Sequence, residues 1–278
     1  MNPPTSSVDR GLTRDGLQQL RRRWQPPEAP VAAVLLVHGM GEHSGRYEHV
    51  GRWLADAGYD VVAIDQRGFG GSGGRRAFVD SFDRFLDDVE DQLAELRTLG
   101  VPVVLFGHSM GGLVCADYVT SGRPLPDVLV LSGPALAATV PPVQRFLAPF
   151  LGRVAPTLRI PSRIDGSVLS RDPAVGAAYL ADPDNVLFVT ARLGAELIAR
   201  GPQVVARLDR LSVPALVLHG GSDRLVPPTA SAPFEGRPGV VREVLPGLLH
   251  EILNEPEYPQ VLLRIVEWIE QALAGSEG

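Results

Sequence analysis

Short apolar runs alternate with longer amphipathic ones along most of the chain. Val31 to His38 is almost wholly apolar, as a strand buried on both faces has to be. Tyr47 to Ala57 carries Tyr47, Val50, Trp53 and Leu54 at helical spacing, and Asp60 to Ile64 is the next strand. Phe82 to Leu99 is predicted as a helix, with Phe82, Phe85, Leu86, Val89, Leu93 and Leu96 on one side and acids on the other. Val101 to Phe106 is a strand and Gly112 to Thr120 a helix-compatible stretch. Asp127 to Leu131, Val213 to Leu218 and Val240 to Leu245 complete the predicted strands, and Glu257 to Leu273 is a closing helix. Near the N-terminus, Asp15-Gly16 reads as a two-residue hairpin turn. The alternation predicts an α/β fold with a mostly parallel central sheet and helices on both faces.

The alternation breaks between Pro134 and Leu211, in a stretch rich in Pro and Ala with no clear buried strand. We expect one core domain, residues 1–134 and 211–278, with residues 135–210 inserted as a helical cap, or lid. Within the insert, Val143, Phe146, Leu147, Phe150, Leu151 and Val154 form one apolar helical face. Two readings of that face stand: packing on the main domain, or transient contact with acyl chains or a membrane surface.

Gly107-His108-Ser109-Met110-Gly111 is a G-x-S-x-G pentapeptide between the Val101–Phe106 strand and the following helix. Strand, motif and helix in that order are what a nucleophile elbow requires, in which the serine sits on a turn too tight for a Cβ at either glycine. A serine hydroxyl needs a base to take its proton, and the base needs an acid to hold its tautomer. Of the six histidines, His43 and His49 lie too early for a Ser, acid, His order. His38 and His219 end strands, and His108 should point away from the elbow if Ser109 points into the site. His250 follows the last strand in a loop, so it is the expected base. Asp223, after the penultimate strand, is the expected acid, because the alternative position after Leu131 reads Ser132-Gly133-Pro134-Ala135 and has no carboxylate. The backbone N–H of Met110, and that of Met40 in the His38-Gly39-Met40-Gly41 loop, are the expected oxyanion-hole donors. Gly68-Phe69-Gly70-Gly71-Ser72-Gly73 matches a dinucleotide-binding fingerprint, but no helix opens at its third glycine, so Asp65-Gln66-Arg67-Gly68-Phe69-Gly70 is read as a structural turn beside the site.

Composition narrows the picture. The chain has 278 residues, a net charge of −6 and 45% hydrophobic residues, enough for one large domain. Its cations are all arginine. The clusters Arg21-Arg22-Arg23 and Arg75-Arg76 read as solvated surface on an acidic chain, so no nucleic-acid partner is expected. The single cysteine, Cys115, excludes an internal disulfide and reads as a buried filler on the elbow helix. No zinc-ligand spacing is present, and no metal is expected. The polar start Met1 to Arg10 lacks the features of a signal peptide, and no apolar run is long enough to cross a bilayer. A cytoplasmic enzyme is the expectation.

The decapeptide His38-Gly39-Met40-Gly41-Glu42-His43-Ser44-Gly45-Arg46-Tyr47, the elbow Gly107 to Gly112 and the insert segment Ile164 to Asp172 resemble the monoacylglycerol lipase family of α/β-hydrolases. The resemblance runs from about Asp15 to the closing helix and is nearer to bacterial members than to animal ones. It implies hydrolysis of a monoacylglycerol, a small lipid ester, to glycerol and a fatty acid through an acyl-enzyme, without a cofactor. It assigns Ser109 as nucleophile, Asp223 as acid, His250 as base, and Met40 and Met110 as oxyanion donors. Glu42 and Arg46 match loop positions near the polar end of the family's pocket, where they either touch glycerol or brace the loop through a mutual ion pair. Leu253, Val226 and Phe69 stand where animal members carry a second histidine, a cysteine and a turn histidine. The alternatives are other esters with the same three residues (a lysophospholipid, a lactone), peptide hydrolysis, acyl transfer, or a binding protein on a hydrolase scaffold.

Overall fold

Alternate residues of one strand feed two separate cores. In β3 (Ala32–Val37), Ala33, Leu35 and Val37 enter one core and Ala32, Val34 and Leu36 the other. β4 (Tyr59–Ile64), β5 (Val103–His108) and β9 (Ala215–Gly220) are likewise buried along their whole length. This is why they read as continuous apolar runs rather than alternating ones. The computed structural model describes residues 6–137, 140–162 and 164–275. The outer ends of the expected core, 1–5 and 276–278, and positions 138, 139 and 163 of the expected cap lie outside them.

The main sheet has eight strands in the order β1-β2-β4-β3-β5-β6-β9-β10. β6 is Val128–Ser132 and β10 is Val240–Leu245; every neighbouring pair from β4 to β10 is parallel. β1 (Ser7–Leu12) and β2 (Gln18–Trp24) add an antiparallel edge. On one face lie α2 (Asp83–Arg97) and α3 (Met110–Thr120), and on the other α1 (Glu48–Asp56) and α7 (Tyr258–Ala274). All eleven residues of α3 are buried, so its sequence is largely apolar, and its one charged residue, Asp117, is paired with Arg200 and Arg207. The strand order reverses between β3 and β5. In open α/β sheets, ligands bind beyond the carboxyl ends of the strands at such a point.

Two expectations about the N-terminal region change. Five residues, 13–17, separate β1 from β2, not two; Thr13 N–H bonds Leu17 O at 2.9 Å and Gly16 takes a φ of +80° at the tip. The arginines of Arg21-Arg22-Arg23 are not loose surface groups but part of β2. Arg23 forks onto the buried Asp60 of β4, and Arg21 bonds Asp9 of β1.

Between β6 and β9 the chain forms α4 (Pro142–Val154), β7 (Arg159–Pro161), α5 (Pro173–Ala181), β8 (Phe188–Thr190) and α6 (Ala191–Val205). β7 and β8 pair as a short antiparallel ribbon that no apolar run announced. Gly152 of α4 lets that helix close on α6, where an added Cβ would meet Ala195 at 2.8 Å. Of the apolar face for which two readings stood, Val143, Phe146, Phe150 and Val154 stay 60–83% exposed and so do not pack on the main domain, while Leu147 and Leu151 turn toward a cavity. Among the described residues, no helix is long and apolar enough to cross a membrane.

Candidate active site

Ser109 sits between β5 and α3 with φ 54° and ψ −116°, a conformation costing a non-glycine residue roughly 1–3 kcal/mol. Its neighbours make that turn possible. A Cβ on Gly107 would lie 2.5 Å from Gly111 O, and one on Gly111 would lie 2.1 Å from Val37 O. Three backbone bonds fix the serine: its N–H to Ser132 O, and its carbonyl to the amides of Leu113 and Ala135, all at 2.9–3.0 Å.

The expected base and acid meet it. His250 Nε2 lies 2.9 Å from Ser109 Oγ, and His250 Nδ1 lies 2.6 Å from Asp223 Oδ2. A carboxylate opposite Nδ1 places the proton there and leaves Nε2 free to accept from the serine. Asp223 Oδ1 accepts the amides of Leu225 and Val226 at 2.9 and 3.0 Å. Burial works to raise its pKa, but the bonds from His219 and His250 and these amides outweigh it and hold the carboxyl well below its ordinary value. His219, read from the sequence only as a strand end, places Nε2 2.9 Å from Val226 O and 3.3 Å from Asp223 Oδ2.

Met110 begins α3, where helix N–H groups have no partner within the helix. The loop after β3 comes close to the serine: a Cβ on Gly39 would sit 3.2 Å from Ser109 Cβ. The Gly39 amide is taken by Glu42 Oε1 at 2.5 Å, and Met40, next along the loop, lines the cavity beside Ser109. The glycine-rich 68–73 segment is a turn, with φ of +81° at Gly68 and +49° at Gly70. Asp65 ties it to the β3 loop by accepting the amides of Gly71 and Ser44, both at 2.7 Å.

Glu42 and Arg46 form the ion pair allowed by one of the two readings, with Arg46 Nη1 2.7 Å from Glu42 Oε2. Burial pushes the Glu42 pKa up, but Arg46 outweighs it and brings it down to about 2. Glu42 lines the cavity and Arg46 does not. The sequence reading missed Glu251, which accepts a two-pronged bond from Arg46 at 2.7 and 2.8 Å and also lines the cavity. Adjacency to His250 was its only signal. His108 does not point away: it lines the same cavity, its ring centroid is 4.9 Å from that of His250, and Nδ1 lies 3.0 Å from Ser132 Oγ. Burial, helped by His250, drives its pKa down to about 4, so it is neutral near pH 7.

The cavity has a volume of about 430 Å³. Ser109, His250, Glu42 and Glu251 bring its polar groups from the core, while Leu136, Leu147, Leu151, Ile160, Leu197 and Ile198 bring apolar surface from the 135–210 segment. A hydroxyl with a proton acceptor in line, opening into an apolar chamber, is equipped to attack the carbonyl of an ester with a hydrocarbon acyl chain. His43, Asp182 and Asp184 lie close enough to suggest a metal site. But His43 Nδ1 accepts the Gly45 amide, which puts the proton on Nε2, 3.0 Å from Asp182, and leaves no ring lone pair for an ion.

A family model described as serine aminopeptidase S33 matches residues 28–257. A monoacylglycerol lipase of Mycolicibacterium smegmatis is 38% identical over 254 residues, covering 88% of this chain and 90% of that protein. A phospholipase of Bacillus subtilis is 33% identical over 243 residues, covering 84% and 93%. Among solved structures, a monoacylglycerol lipase of Paleococcus ferrophilus superimposes with a TM-score of 0.82 at 33% identity, covering 89% of this chain and 96% of that one.

Proposed function

The chain belongs to the monoacylglycerol lipase family of α/β-hydrolases, and from that membership we propose that it cleaves monoacylglycerols to glycerol and a fatty acid through an acyl-enzyme on Ser109. The observation that carries the reading is the Ser109–His250–Asp223 chain of contacts, at 2.9 and 2.6 Å, opening into an apolar cavity. Ser109 Oγ attacks the ester carbonyl as its proton passes to His250 Nε2. The amides of Met40 and Met110 hold the oxyanion, and Asp223 stabilises the imidazolium. The tetrahedral intermediate collapses as His250 passes the proton to the departing glycerol oxygen. Water then repeats the sequence on the acyl-enzyme and releases the fatty acid. In this reading residues 135–210 are a cap that keeps the acyl chain out of water. Its exposed Phe146 and Phe150, flanked by Arg145 and Arg153, touch a lipid surface from which the substrate is drawn.

Likeness to a bacterial phospholipase supports a second reading, in which the same three residues cleave an ester with a phosphate-bearing head group. The test is release of fatty acid and glycerol from monoacylglycerols of graded chain length, beside diacyl, triacyl and phospholipid esters, with Ser109→Ala in parallel. Selective turnover of the monoacyl esters, lowered at least ~10⁴-fold by Ser109→Ala, is expected. Full activity in Ser109→Ala would refute the mechanism, and preference for another head group would refute the substrate.

A further inference from the structure

Among the described residues, Arg46 is the guanidinium packed behind the polar wall of the cavity, and three of its five N–H donors are taken by the wall's own carboxylates. Nη1 bonds Glu42 Oε2 and Glu251 Oε1, each at 2.7 Å, and Nη2 bonds Glu251 Oε2 at 2.8 Å. Its flat face lies over the Tyr179 ring, 4.9 Å from the centroid. The carboxylates are held just as firmly. Glu42 Oε1 accepts Gly39 N–H at 2.5 Å and Tyr47 O–H at 2.7 Å, and Glu251 Oε2 accepts Asn254 Nδ2 at 2.8 Å. Both acids are 4% exposed, and both line the cavity, whereas Arg46 stands behind them.

This arrangement has a net charge of −1 on the cavity side. His108 beside it is neutral near pH 7, and Asp223 adds a second negative charge behind His250. Among the described residues, the other cation along the cavity is Arg145, exposed on α4, where water screens it. A guanidinium free to fork onto a phosphate would favour an anionic head group. Here that fork is closed by Glu251, and what faces the substrate is carboxylate. Carboxylates accept hydrogen bonds from the hydroxyls of a neutral polyol and repel a phosphate.

We propose that Glu251 is a specificity-determining residue: with Glu42 it overcompensates Arg46 and so restricts the site to uncharged leaving alcohols, excluding esters whose alcohol carries a phosphate. The inference rests on the reading of the site as a monoacylglycerol esterase and says which neighbouring substrates it refuses. A unit charge about 6 Å from a phosphate, at an effective dielectric constant of 20–40, alters kcat/KM by roughly 10- to 100-fold.

The experiment compares 1-octanoylglycerol with 1-octanoylglycerol 3-phosphate, both below their aggregation concentrations so that no charged interface enters. The wild type should prefer the uncharged ester by more than ~10-fold, and Glu251→Gln should narrow that preference at least ~10-fold, because the amide keeps an acceptor for Arg46 and loses the charge. A bracing role alone would lower kcat/KM for both esters by one factor and leave the ratio untouched. Equal turnover of the two esters by the wild type overturns the proposal even if Glu251→Gln does not fold. A ratio unchanged in a folded Glu251→Gln variant overturns it as well. A wild type that turns over no monoacylglycerol of any chain length overturns the functional reading instead, a separate outcome.

Discussion

Replacing Glu255 by alanine should both destabilise the protein and slow the reaction, although the side chain touches neither Ser109 nor the cavity. Glu255 is wholly buried. Its Oε1 accepts the amide of Leu249, the residue before His250, at 2.6 Å. Its Oε2 accepts Arg171 N–H at 3.1 Å and Arg171 Nε at 3.0 Å, from the 135–210 segment. In Glu255→Ala the Leu249 amide is left buried without a partner, costing about 1–3 kcal/mol. The part-buried bond from the Arg171 amide adds about 1 kcal/mol. The Arg171 side chain is 42% exposed and turns to water, so its lost ion pair adds only about 0–1 kcal/mol. The sum is about 2–5 kcal/mol, equivalent to a Tm lower by roughly 5–15 °C for a chain of this size. Release of the Leu249 amide also loosens the loop that aims His250, and a displacement of about 1 Å at a reacting group can cost ~10²-fold in rate. Thermal and urea unfolding would be measured beside kcat on a soluble short-chain ester well below the Tm. Stability within about 1 kcal/mol of wild type would refute the hydrogen-bond reckoning. Clear destabilisation with unaltered kcat would refute the coupling to His250.

Three further outcomes are expected. Gly111→Ala, whose Cβ would sit 2.1 Å from Val37 O and 2.5 Å from His38 O, should cost at least ~3 kcal/mol and yield little soluble protein; normal expression with a wild-type urea midpoint would count against the elbow packing. Glu42 has a folded pKa near 2, below its ordinary value, so it lends stability that is present above the unfolded carboxyl pKa and lost as pH falls from about 4.5 toward 2; Glu42→Gln should flatten that acid limb in unfolding experiments and leave the slope near pH 7 unchanged. The double change Phe146→Ser and Phe150→Ser removes side chains 83% and 62% exposed, so it should leave the Tm unchanged and weaken sedimentation with lipid vesicles; unchanged vesicle binding would remove α4 from the lipid contact.

Some of this molecule is written locally in its sequence and some is not. Buried parallel strands such as β3 and β5 are legible because burial on both faces requires an uninterrupted apolar run. Ser109, Asp223 and His250 are legible because each follows a strand end, in an order set by the fold. β1 and β2 escape that reading because they form the sheet's edge. β1 is mostly exposed, and the arginines of β2 find their partners on Asp9 and Asp60, 12 and 37 residues away. The orientation of His108 was misjudged because it was inferred from the elbow alone. Ser132 of the neighbouring strand draws the ring toward the site side.

A shared construction explains why the supporting residues were hardest to read. Apart from the Ser109 elbow, which backbone bonds fix, several loops at the site are pinned by buried carboxylates that accept backbone amides. Glu42 takes Gly39, Asp65 takes Ser44 and Gly71, Asp223 takes Leu225 and Val226, and Glu255 takes Leu249 and Arg171. A loop cannot satisfy its own amides as a helix or strand does, and a buried amide left unpaired costs more than a typical net hydrogen bond returns. An ionised carboxylate can accept several such donors at once, so one acid can hold two loops together. Asp65 joins the loop after β3 to the turn after β4 across 21 residues, and Glu255 joins the insert to the His250 loop across 84. Asp65 opens the Asp65–Gly70 turn and Glu255 lies in no motif, but neither position told which amides it holds; only the folded chain brings them together. Glu42 and Asp223, both held well below the ordinary carboxylate range, should keep their tethers on the Gly39, Leu225 and Val226 amides until strong acid protonates them.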